Sequence, residues 1–155
     1  MIIDQELVFS DEQVMTFTTS APSTNVIDLG PLASGNAGRN LGVGEELYIA
    51  LTVDETFDDT GDNSTVTITL QTDSAEGFGS AVAVATLLTV PALAAVGTKY
   101  LIRVPIELLV PYGRYIRLLY ASGNGDLSAG KMSAMIVKDA DAYASYASAV
   151  ATGVN

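Results

Sequence analysis

The chain has 155 residues, with 7 basic against 18 acidic side chains, a formal net charge of −11, and neither cysteine nor histidine. A chain of this size fits one domain that buries roughly 70% of its unfolded surface, so a core forms without staples. The composition excludes a disulfide or thiolate metal site, removes the side chain most used for acid–base chemistry near neutral pH, and repels a nucleic acid backbone.

The N-terminal MIIDQELVFS has neither the basic start nor the sustained apolar run of a signal peptide, and no stretch approaches the ~20 apolar residues of a membrane span, so neither export nor a membrane is expected. Ser10-Asp11-Glu12-Gln13 has the S-x-x-Q spacing of a capping box and predicts one helical turn ahead of the first strand, with the apolar Leu7 and Phe9 just before it. From there apolar residues recur with period two. Strands are predicted at 13–18, 24–29, 46–53, 64–70, 81–88, 99–104, 114–120 and 131–137. Segments rich in glycine and asparagine at 30–44, 73–80 and 121–130 read as turns. Eight short antiparallel strands at this spacing predict an all-β sandwich, in its jelly-roll form, with a barrel as the alternative. The domain spans 1–138. The tail 139–155, rich in alanine and serine, is a weak helix or an extended arm bearing Tyr143, Tyr146 and Val150.

The acids of VDETFDDTGDNSTVTITL (Asp54, Glu55, Asp58, Asp59 and Asp62) invite a calcium reading. A loop counted from Asp58 puts Asn63 at the glycine position and Thr69 at the bidentate glutamate; one counted from Asp54 puts Asp59 and Thr65 there. Both fail. The stretch reads instead as the solvated tip of a hairpin between 46–53 and 64–70, with Asn63-Ser64-Thr65 as its exit, and no metal is expected. GNAGRNLGVG at 35–44 lacks the Gly-Lys-Ser/Thr ending of a phosphate loop. A serine nucleophile has no histidine base, and Lys99, Lys131 and Lys138 sit in no serine–lysine motif. A chance carboxylate pair carries no information among so many acids, so neither catalysis nor a cofactor is expected. Arg103, Arg114 and Arg117 fall on strands that could be neighbours; they read as ion pairs with the excess acid, and a protein-contact patch is the competing reading. Seven tyrosines without a tryptophan keep a carbohydrate-binding or tail-adhesin module as the alternative.

Taken in order, MIIDQELVFSDEQVMT, STNVIDLG, GVGEELYIALTVDETF, STVTITLQTD, YLIRVP and RYIRLLY resemble the tailed-phage capsid cement, or decoration, proteins of the Bordetella-phage type. The resemblance implies a jelly roll on the exterior of the virion that ties neighbouring major capsid proteins together. It also implies self-association, as a dimer by resemblance with a trimer left open. Leu7, Phe9, Tyr143 and Tyr146 are the residues expected to make contacts between subunits.

Overall fold

The computed structural model describes residues 5–31, 41, 46–105 and 111–138. They form a 3-10 turn, Gln5–Leu7, and nine strands: β1 (Val8–Val14), β2 (Ser20–Pro22), β3 (Ile27–Asp28), β4 (Tyr48–Asp58), β5 (Thr65–Asp73), β6 (Val82–Val90), β7 (Lys99–Arg103), β8 (Tyr115–Gly123) and β9 (Ala129–Val137). The first sheet has the order β1-β9-β4-β7. The second has the order β2-β8-β5-β6, with β3 also on β8. Every pairing is antiparallel, and the two sheets form a sandwich.

The pairs nest: β1 with β9, β2 and β3 with β8, β4 with β7, β5 with β6. One long hairpin folded over on itself gives this nesting. The strand count differs from the eight expected because one strand position is broken. Pro22 ends β2, since proline has no N–H to donate to a ladder. The chain then leaves the second sheet to reach the first, where the Asn25 N–H donates to the Phe9 carbonyl at 2.9 Å, and it rejoins β8 at Ile27.

Period-two alternation places the core between the sheets. Ile49, Leu51 and Val53 from β4, Val66, Ile68 and Leu70 from β5, and Ile116, Leu118 and Tyr120 from β8 are all fully buried. Each such apolar side chain contributes roughly 1.5–3 kcal/mol relative to exposure. Gly130, at φ +128°, lies against Phe57, where a Cβ would sit 2.4 Å from the ring, so β9 needs glycine there to let that ring into the core. One polar chain crosses the interior. Ser10 Oγ donates to Gln13 Oε1 at 2.7 Å and takes the Tyr120 hydroxyl at 2.7 Å, while Gln13 holds the Pro22 carbonyl and the Thr24 N–H. Burial pushes the Tyr120 hydroxyl pKa well up, so it stays a neutral donor.

Two local expectations are corrected. The Ser10 to Gln13 segment lies inside β1, and the helical turn precedes it at Gln5–Leu7. The two side chains do bond across three residues, but they clasp a bulged strand in which Glu12 takes φ +44°. The acidic stretch is not a hairpin tip either. β4 belongs to the first sheet and β5 to the second, so residues 59–64 cross the sandwich, and Asp54, Glu55 and Asp58 lie on β4 itself.

Candidate functional site

The acids at 54–62 go to separate tasks. Asp54 accepts the Ser133 hydroxyl at 2.6 Å, and Glu55 pairs with Lys131 at 3.6 Å on the outer side of the first sheet. Asp59 turns inward to organise the crossing, accepting from the Asn63 N–H at 2.9 Å and from Ser64 Oγ at 2.7 Å. The Ser64 bond, assisted by backbone N–H groups, holds its carboxyl below the usual range despite the opposing effect of burial. Asp73 does the same for the β5–β6 connection, accepting from the N–H groups of Ala75 and Ser80, and is likewise held low. No group of three or more His, Cys, Asp or Glu side chains converges among the described residues.

The arginines do not share a patch: Arg103 is on the first sheet, Arg114 and Arg117 belong with the second. Arg103 pairs with Glu46 at 3.4 Å, and Arg114 grips both oxygens of Asp28 at 2.8 and 2.7 Å, as the ion-pair reading has it. Arg117 is held differently. Its guanidinium lies 4.2 Å from the centre of the Phe78 ring and donates to Gln71 Oε1 at 2.9 Å, and desolvation lowers its pKa.

Of the expected contact residues, Leu7 sits in the 3-10 turn and is 37% exposed, whereas Phe9 is fully buried in the core. Phe9 is therefore a packing residue of β1, because its position on the strand points it between the sheets. Tyr143 and Tyr146 lie outside the described residues. A shallow cleft of about 250 Å³ beside the turn is lined by Gln5, Val8, Ser10, Asp11, Asn25 and Met135. Its one hydroxyl, Ser10, is engaged by Gln13 and by a neutral tyrosine, so no base activates it.

The larger feature is a difference between the two outer surfaces. Register places Lys99, Arg103, Asp54, Glu55 and Lys131 on the outer side of the first sheet, next to an apolar group of Tyr48, Ala50, Leu101, Met135 and Val137. On the second sheet the outward rows run Ser20, Ala121, Thr67, Thr89; then Pro22, Leu119, Thr69, Thr86; then Arg117, Gln71, Ala83. Only Arg117 in those rows is charged. The rows continue into a segment, Gly77 to Thr98, of 22 residues (98 − 77 + 1) without one charged side chain, between Glu76 and Lys99. It contains β6 and three of the six large exposed apolar residues among the described residues: Val82, Leu93 and Val96, at 47%, 51% and 63%. Sequence reasoning missed this surface, although a count of charges along the chain shows the gap.

A protein-family model described as Bbp16, a bacteriophage-related family, matches residues 9–136. That span is 128 residues (136 − 9 + 1) of the 155 and covers both sheets. No curated protein matches the chain.

Proposed function

Since the chain belongs to the Bbp16 family, we propose that it is a capsid cement protein, bound to the exterior of a bacteriophage head and clamping neighbouring major capsid proteins. The observation that carries this reading is the family match over both sheets of the sandwich, whose second sheet offers outward rows in which Arg117 is the one charged side chain. A cement protein works by contact area and by repetition. Many copies at symmetry-related positions let modest contacts reinforce a shell through effective concentration, with no catalyst or cofactor. The glycan-binding alternative draws less support. Stacking a sugar needs an exposed aromatic platform, but Tyr112 and Tyr120 are buried and the Tyr115 ring lies under the Arg114 guanidinium at 5.0 Å.

The test uses heads of the phage that encodes the chain, produced with its gene deleted. Purified protein is expected to bind them saturably, at a fixed number of copies per shell, and to raise the temperature at which they rupture. Absence of binding to such heads, or binding with no gain in shell stability, would overturn the cement reading.

A further inference from the structure

Arg103, Arg114 and Lys131 each pair with a carboxylate: Glu46, Asp28 and Glu55. Arg117 makes no ion pair among the described residues, although the chain carries 18 acids. It stands outward on β8, in register with Gln71 of β5, which in turn faces Ala83 of β6. What holds it is neutral. Gln71 Oε1 accepts its Nε–H at 2.9 Å, and the Phe78 ring centre lies 4.2 Å from the guanidinium carbon. The Nη groups have no hydrogen-bond partner among the described residues. Asp73, the carboxylate whose charge acts on Arg117, has both oxygens taken by the N–H groups of Ala75 and Ser80.

The ring beneath the guanidinium is held in place against a backbone preference. Phe78 takes φ +50°, in the left-handed region that a bulky side chain rarely adopts, and it is only 7% exposed. Asp73 enforces this shape by gripping the connection at Ala75 and Ser80, and the Phe78 N–H donates to the Ala75 carbonyl at 3.1 Å. Strain of this kind collects where a side chain must be presented to a ligand. Its effect here is to place an aromatic platform under the single cation of the uncharged rows.

We infer that Arg117, fixed on the Phe78 ring, receives an aspartate or glutamate side chain of the protein that meets this surface. The inference rests on the cement reading, which makes that protein the major capsid protein. Charge selects the occupant. A planar guanidinium pairs with a carboxylate through two parallel N–H bonds, and the neighbouring outward positions, Leu119, Thr69 and Ala83, offer no competing acid. A nucleic acid phosphate has the same sign, but its strand would bring many charges against a chain at −11, whereas a protein surface brings one. Gln71 and Phe78 already fix the arginine's rotamer, so little side-chain freedom is lost on binding. A partner without an acid at this place would leave the guanidinium desolvated and unpaired, so the contact selects as well as attracts.

The test measures binding of variants to heads made without the protein, with circular dichroism confirming that each variant is folded. Arg117→Gln is expected to weaken binding by about tenfold or more. Arg117→Lys, which keeps the charge without the planar fork, should regain only part of the loss. Arg103→Gln, on the first sheet, should bind like the parent. Parental binding by Arg117→Gln or Arg117→Lys, or an equal loss in Arg103→Gln, would overturn the inference and leave the cement reading standing. Self-association of the free protein that Arg117→Gln abolishes would assign the carboxylate to a second copy and reject the capsid partner. A wild-type protein that does not bind the heads at all would overturn the cement reading and this inference with it.

Discussion

The two sheets are built by the same alternation of inward and outward residues, yet their outer surfaces differ in how much charge they carry. Outward positions on β4, β7 and β9 hold Asp54, Arg103, Lys99 and Lys131 beside an apolar group of Tyr48, Ala50, Leu101, Met135 and Val137, whereas those on β5 and β6 hold threonine, alanine and Gln71. Threonine, being β-branched, suits a strand better than lysine does, so strand propensity accounts for part of that difference, whereas charge on an outer surface favours solubility. A surface that gives up charge over 22 consecutive residues, in a chain with 18 acids, is instead suited to contact.

The sharpest way to separate folding from contact is to move one residue along β5. Ile68 is fully buried and Thr69 faces outward. Ile68→Ala is expected to cost about 2–5 kcal/mol, through lost burial and the cavity left behind, and Thr69→Ala no more than about 0.5 kcal/mol, both read from urea unfolding of the free protein. Similar losses at the two positions would show that the outward row is part of the fold rather than a surface held ready for a partner.

An intermediate effect is expected from acid. Asp59 and Asp73 are held below the usual carboxylate value of 3.8 by hydrogen bonds that exist only in the folded chain. Their folded-state values are depressed, so the stability they add is complete above about pH 4 and is lost as pH falls through the lower folded values. With no histidine, little titrates between about pH 6 and pH 8, and the unfolding midpoint is expected to stay flat there. Below about pH 4 it should fall, less steeply in Asp59→Asn than in the parent. An Asp59→Asn variant whose midpoint falls as steeply as the parent's below about pH 4 would contradict this account of the carboxylates.

Smallest of all is the expected effect of Glu55→Gln. The Glu55–Lys131 pair has side chains 49% and 38% exposed, and its loss should change stability by no more than about 0.5 kcal/mol in urea unfolding. A larger loss would mean that the charged surface is built into the fold, and would weaken the contrast between the two sheets.

Much of the sandwich was legible because β-branched and apolar residues at alternate positions mark a strand wherever one side is buried. The stretches at 46–53, 64–70, 99–104 and 131–137 fall on β4, β5, β7 and β9. Periodicity does not say which sheet a strand joins, which is why β4 and β5 read as a hairpin although residues 59–64 carry the chain across the sandwich. Bulges hide strands as well. Asp11 and Glu12 interrupt the alternation of β1, so its stretch from Ser10 to Gln13 reads as a capped turn, and the Ser10–Gln13 spacing marks a real side-chain bond on a different backbone. Phe9 illustrates the same blindness: an apolar residue near the start of a chain looks like an exposed anchor until the strand around it is placed. The neutral surface was present in the charge pattern, but it becomes a surface only when register aligns Thr67, Thr69 and Gln71 with Thr89, Thr86 and Ala83.

Contact through the outward rows of β5 and β6 would leave the outer side of the first sheet, with Asp54, Glu55 and Lys131, in water. Backbone hydrogen exchange, followed in the free protein and in the protein bound to heads made without it, tests this most directly. The account predicts that the amides of β6 and of the 91–98 turn exchange more slowly on the heads, while those of β1 and β7 exchange at the same rate in both. Slowing at β1 or β7 with β6 unchanged would contradict it.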